Sequence, residues 1–152
     1  MPPRHEVDLK NKAKESFQHY LSETGLKSTL QRNLILNAFL LVGRHVRVDE
    51  FCQLLRAEHR HIGHATVYRT LKLFVESGIA RELHFGDGFT RYERVTEGKQ
   101  HDHLVCNVCE EITEFDTATL EQLKDEIASD HGFQVETLKL ELRGVCKKCQ
   151  KP

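Results

Sequence analysis

His101-Asp102-His103-Leu104-Val105-Cys106-Asn107-Val108-Cys109 places four soft or borderline metal ligands within nine residues. Leu104 and Val105 favour an extended backbone. Side chains alternate faces along a strand, so His101, His103 and Val105 share one face while Asp102, Leu104 and Cys106 share the other. The histidines and Cys106 therefore belong to two different metal sites on one strand. Residues two apart on a strand face lie roughly 6.5 Å apart at the backbone, a gap that two imidazoles can close onto one ion at about 2.1 Å. Cys106 and Cys109 form a C-x2-C knuckle, and a second knuckle, Cys146 and Cys149, lies near the C-terminus. Two such pairs have the spacing of a closed tetrahedral zinc site. The 36 residues from Glu110 to Val145 leave room for a strand, a helix and a strand between the knuckles, so zinc would tie both ends of that unit together. A redox-active C-x-x-C fits poorly, because neither pair begins a helix after a strand.

Downstream of the opening strand (102–106), a return strand is expected at 111–115 and an amphipathic helix from Leu120 to about Asp130, closed by Gly132. A last strand follows at 133–142, with Val135, Leu138, Leu140 and Leu142 on mostly alternate positions. A unit of this size is too small to bury a good core alone, so zinc and self-association are its expected supports.

Upstream, 7–22 reads as an amphipathic helix ended by Gly25. Thr29 reads as the N-cap of a second helix running to about Val42, with Leu30, Leu34, Ile35, Ala38 and Phe39 at helical spacing. After a break at 43–47, a third helix spans Val48 to about Glu58, and Gly63 precedes a fourth from Ala65 to Ser77. The fourth has two faces: Val67, Leu71, Phe74 and Val75 form an apolar stripe, and Ala65, Tyr68, Arg69 and Lys72 lie opposite. On pattern alone a charged face is usually just solvated. It is followed, however, by strand-like runs at 79–85 and 89–95, joined through Gly86-Asp87-Gly88. Helices followed by a basic hairpin are the parts of a winged helix-turn-helix, whose last helix enters the major groove. The expected fold class is thus α+β: a winged-helix DNA-binding domain (1–95), a polar hinge (96–100) and a small α/β dimerisation and metal-binding domain with a four-cysteine zinc site (101–152).

Charge supports the division. Residues 1–95 carry 15 Lys+Arg against 11 Asp+Glu, and 96–152 carry 7 against 12. The front half is +4 and the back half −5, so the front half is the one suited to a polyanion. The charged opening 14 residues read as no signal peptide and no apolar run is long enough to span a bilayer, so a cytoplasmic protein without membrane contact is expected. Five cysteines in a reducing compartment suit four metal ligands plus one bystander, Cys52, placed in an apolar helical pattern as a buried thiol. Of the ten histidines, His59, His61 and His64 read as surface or phosphate-facing, His5, His19, His84 and His131 show no partner pattern, and His45 sits alone in a turn. H-E-x-x-H, G-x-S-x-G, P-loop and dinucleotide signatures are absent. A non-enzyme without a small-molecule substrate is therefore expected. A metal-dependent hydrolase would need an open coordination position, and a zinc-stabilised adaptor would lack steep salt dependence on DNA.

Ala65-Thr66-Val67-Tyr68-Arg69-Thr70-Leu71, then Phe85-Gly86-Asp87-Gly88, Arg91-Tyr92-Glu93, His101-Asp102-His103 and the two knuckles together resemble the ferric uptake regulator (Fur) family over roughly residues 20–150. The resemblance implies a bacterial homodimeric repressor that binds AT-rich palindromic operators when charged with metal. It implies structural Zn(II) at Cys106, Cys109, Cys146 and Cys149, and a regulatory site at His45, Glu93, His101, His103 and Glu114. It also implies DNA contacts from Tyr68 and Arg69, beside which Thr66 and Lys72 are candidates on the same helix. At a further family metal site only Asp102 and Glu121 match, because Gln100 and Leu138 stand where histidines are usual. Glu93 resembles the iron-responsive branch, whereas peroxide sensors more often have Asp there. The expectation is an Fe(II) sensor; the alternatives are a peroxide sensor using bound Fe(II), and a zinc or manganese uptake regulator. Nitrogen and oxygen ligands without thiolate suit Fe(II), Mn(II), Co(II) or Zn(II) alike, so availability must choose among them.

Overall fold

The computed structural model describes residues 4–43, 45–95, 102–115, 118–136, 138 and 140–150. The expected hinge and His101 lie outside them. The chain divides into two compact units, Met1–Glu97 and Gly98–Pro152.

In the first unit, α1 (Arg4–Glu23), α2 (Leu30–Leu41), α3 (Val48–Arg56) and α4 (His64–Glu76) occupy the stretches where a 3.6-residue apolar period was expected. Thr29 is extended (φ −117°, ψ 154°) and its side chain accepts the Arg32 N–H at 3.2 Å, satisfying one of the donors left open at the start of α2. The end of α4 is equally specific. Gly78 takes φ 76°, its N–H bonds Val75 O at 3.0 Å, and the Ile79 N–H reaches back to Phe74 O at 3.0 Å. This reversal needs the left-handed backbone that glycine adopts without penalty. It turns the chain out of α4 and directly into β2 (Ala80–His84), which forms a hairpin with β3 (Thr90–Arg94).

A third strand, β1 (Val46–Arg47), pairs antiparallel with the other edge of β3, making the order β1-β3-β2. No local pattern announces β1, since two residues in a break carry no periodicity. The helices enclose an aromatic centre: Phe74 of α4 meets Phe17 of α1 edge-on at 5.0 Å and Phe39 of α2 at 5.4 Å, and Phe39 meets Phe51 of α3 at 5.9 Å. All four rings are buried, together with Leu36, Val67 and Leu71. Cys52 is buried in this core, and burial pushes its thiol pKa up, as suits an inert packing residue.

In the second unit, β4 (Asp102–Cys106) is central, antiparallel to β5 (Ile112–Phe115) and parallel to β6 (Glu141–Gly144). The helix α5 (Ala118–His131) connects the two edge strands. The last strand therefore begins later than its alternating apolar pattern suggests. Pairing runs from His103↔Glu141 to Cys106↔Gly144, with the His103 N–H also reaching Leu140 O at 3.2 Å. This unit buries little. α5 has no buried residue, and Leu123, Ile127, Phe133, Val135 and Leu142 are all exposed. Among the described residues no helix is long and apolar enough to cross a membrane.

Candidate metal centres and nucleic-acid face

The four knuckle cysteines converge, their sulfurs all lying within 4.8 Å of one another. Strand pairing brings them together: Cys106 ends β4, and its register partner Gly144 on β6 delivers Cys146 two residues later. Within the first knuckle the Glu110 N–H bonds Cys106 O at 3.0 Å, and Glu110 takes a left-handed φ of 60° that returns the chain to β5. In the second knuckle the Cys149 and Gln150 N–H groups bond Cys146 O at 2.9 and 3.0 Å. Lys148 then reaches Glu111 at 3.0 Å.

The Cys106 sulfur accepts the N–H groups of Cys146 at 3.3 Å and Val108 at 3.5 Å. Backbone donors, that of Cys146 first, bring its thiol pKa down to about 6, while the neighbouring Cys109 and Cys146 thiols push Cys149 up to about 12. One thiolate is thus prepared, while Cys109 and Cys149 resist ionising beside it, which is the electrostatic state that a divalent cation resolves. Cys109 and Cys146 sulfurs lie 3.7 Å apart, far beyond a disulfide bond. Four thiolates without an oxygen or nitrogen ligand form a closed set, so the cluster fits a zinc site of the structural kind.

The remaining candidate ligands fall into two pairs, one in each unit, and both are made by antiparallel register. In the first unit Val46 pairs with Tyr92, which sets His45 opposite Glu93. His45 Nδ1 lies 3.6 Å from Glu93 Oε2, with both side chains largely buried. In the second unit His103 is the register partner of Glu114; the histidine is buried and the glutamate exposed. Glu93 has a further neighbour that the sequence patterns do not single out: Arg81, its register partner on β2, donates Nε–H to Glu93 Oε1. Counting outward from the turn centre at Asp87 would have found it, since positions 81 and 93 are equidistant from 87.

The incomplete further set stays apart. Asp102 Oδ1 accepts the Leu140 N–H at 3.2 Å, and Glu121, in the first turn of α5, pairs with Lys124. Among the described residues neither joins a group of three or more potential ligands.

On α4, Val67, Thr70, Leu71 and Phe74 face the core, while Tyr68 and Arg69 are exposed. Arg69 and Thr66 line an open pocket with Thr29 and Arg32 at the start of α2. Arg32, in the first turn of α2, thereby joins the face, although no sequence motif marks it. Lys72 behaves differently. Its ammonium bonds Glu82 of β2 at 2.6 Å, tying the helix to the hairpin. At the hairpin tip Asp87 accepts the Phe89 N–H at 3.1 Å and pairs with Arg91 at 2.7 Å, and the Arg47 guanidinium stacks 4.0 Å over the Phe89 ring.

Residues 23–143 match the model of the Ferric uptake regulator family. A "Ferric uptake regulation protein" of Neisseria meningitidis is 38% identical over 131 residues, covering 86% of this chain and 90% of that protein. The "Peroxide operon regulator" of Bacillus subtilis is 35% identical over 131 residues, covering 86% and 89%. In three dimensions the chain resembles the ferric uptake regulator of Vibrio cholerae with a TM-score of 0.72 at 38% identity, covering 83% of this chain and 96% of that one. With the winged helix, the four-cysteine cluster and these matches in agreement, the chain belongs to the ferric uptake regulator family, whose members regulate transcription and are not enzymes.

Proposed function

We propose that this protein is an Fe(II)-responsive repressor that binds AT-rich palindromic operators as a homodimer. The observation that carries this reading is the pair of His–Glu partnerships, His45 with Glu93 in one unit and His103 with Glu114 in the other. We take these four, with His101, as one regulatory site whose ligands come from both sides of a hinge at 96–100, the domains being 1–95 and 101–152. A divalent ion bound there supplies a charge that both halves can share. Mixed imidazole and carboxylate ligands accept Fe(II), Mn(II), Co(II) or Zn(II), so the choice of Fe(II) rests on Glu93 resembling the iron-responsive branch and on the relatives' names. The peroxide-regulator relative keeps one alternative open, which intact mass after peroxide resolves: an added oxygen atom on a ligand histidine would mark a peroxide sensor.

Each residue then has a defined task. Arg69, Tyr68 and Thr66 meet the major groove, while Lys72, held by Glu82, fixes the helix that carries them against the wing. The exposed Leu123, Ile127 and Phe133 form the apolar surface that a second copy would cover. Zinc on Cys106, Cys109, Cys146 and Cys149 supports the unit that carries this surface. Operator affinity can change only by the difference between the ion's affinities for the closed and open arrangements of the two halves.

Three outcomes test this assignment. Cys106→Ser is expected to lose the tightly held zinc, measured by metal analysis, and to weaken the dimer, measured by sedimentation; unchanged zinc content and dimer would refute it. Arg69→Ala should weaken operator binding by about 1 to 3 kcal/mol without altering folding if Arg69 reads a base. A phosphate contact would instead lower affinity for all sequences evenly and flatten the salt slope by roughly one. Equal affinity of Arg69→Ala and wild type for every duplex would remove α4 from the interface. His103→Ala should retain zinc and dimer but lose the metal dependence of operator binding. Because imidazole ligates only when neutral, wild-type activation should fade as pH falls towards about 6. A His103→Ala protein that still binds the operator only when Fe(II) or Mn(II) is supplied would place the switch elsewhere.

A further inference from the structure

Glu93 occupies the central strand of its sheet and has a neighbour on each side. β1 sets His45 opposite it, and β2 supplies Arg81 as its register partner. Directly opposed residues of antiparallel strands project from the same face, so the three side chains form a row with the carboxylate in the middle. The two carboxylate oxygens divide between the neighbours: Oε1 accepts Arg81 Nε–H, and Oε2 faces His45 Nδ1 at 3.6 Å. The Glu93 side chain is 7% exposed and that of Arg81 28%, so the ion pair is shielded on the carboxylate side. The other arginines of the sheet have partners elsewhere, Arg47 on Asp49, Arg91 on Asp87 and Arg94 on Leu40 O. Glu82, next to Arg81, is occupied by Lys72.

We propose that Arg81 is a built-in cation at the regulatory site, holding one oxygen of Glu93, leaving the other for the metal, and setting metal affinity below what the ligands alone would produce. The inference rests on the regulatory-site reading above. With Arg81 in place, Glu93 can serve an ion beside His45 through Oε2 alone, and that ion must sit near a fixed positive charge. Without it, the fixed positive charge beside the carboxylate is gone and Oε1 is released from the Arg81 Nε–H. Both effects favour the metal-bound form.

A hydrogen bond to a ligating carboxylate can also raise affinity by orienting it. In this sheet the strand and burial already orient Glu93, which is 5% exposed as a residue and flanked on both edges. What Arg81 adds is charge. Such a residue tunes the metal concentration at which the repressor engages, a property that ligand identity alone does not set.

The test uses full-length, zinc-loaded protein titrated anaerobically with Co(II) and Mn(II) by calorimetry, in parallel with operator binding against metal concentration. Arg81→Gln removes the charge but keeps an N–H donor, and it is expected to tighten metal binding about tenfold or more, within the range over which outer-shell partners act. The operator-binding midpoint should move to lower metal by the same factor. Arg81→Lys, which keeps the charge, should stay close to wild type. Arg81→Met, which keeps the aliphatic stem, should tighten as the glutamine variant does and serves if that variant fails to fold. Metal affinity that is unchanged or weaker in both neutral variants overturns the proposal. His45→Ala separates the two levels: if it loses Co(II) binding while the neutral Arg81 variants do not tighten, Arg81's role alone is refuted. If His45→Ala binds Co(II) like wild type, the site reading falls and this proposal with it.

Discussion

Residues directly opposite each other across an antiparallel strand pair share a face with their Cβ atoms about 4.5 to 5.5 Å apart, and that constraint assembles both histidine–glutamate pairs. The register of β1 on β3 brings His45 to Glu93, although 47 residues separate them in sequence. The register of β4 on β5 brings His103 to Glu114. A slip of one residue in either pairing would turn its histidine to the opposite face, away from its glutamate. The β4–β5 register is held by the turn through Glu110, whose left-handed φ of 60° returns the chain antiparallel onto β4.

The two units are stabilised differently. The first packs Phe74 between the buried rings of Phe17 and Phe39, with Phe51 against Phe39, and needs no staple. The second buries few side chains and leaves Leu123, Ile127 and Phe133 exposed, so its order depends on pairing around β4 and on the four cysteines gathered where β4 and β6 end. In the proposed repressor, metal thus has two physically separate roles: closing a small unit through sulfur, and adjusting a hinge through nitrogen and oxygen.

Most elements were legible in the sequence because they carry local signals. Thr29 caps α2, Gly63 precedes α4, the glycines around Asp87 announce a hairpin, and the paired knuckles announce a tetrahedral site. What local signals could not reveal was long-range pairing. β1 is two residues in a break, so nothing near His45 shows that it faces Glu93; only the family resemblance raised it to a ligand. Arg81 reads as an ordinary wing charge until its partner across the hairpin is counted. The apolar alternation of Val135, Leu138 and Leu140 suggested an early start for the last strand, but its pairing with β4 runs from His103↔Glu141 to Cys106↔Gly144. Lys72 shares a helical face with Arg69, yet its ammonium turns to Glu82 on a neighbouring strand, a contact that helical spacing cannot show.

The central claim is that an ion on nitrogen and oxygen ligands changes operator affinity while the sulfur site stays filled. The most direct measurement is anaerobic fluorescence anisotropy of a labelled AT-rich palindromic duplex with the zinc-loaded protein, with and without Fe(II), at one fixed salt concentration, because phosphate contacts make affinity salt-dependent. The account predicts binding tighter by about 5- to 150-fold with Fe(II), the usual range for coupling between two sites. Equal affinity in the presence and absence of Fe(II), Mn(II), Co(II) and added Zn(II) would contradict it.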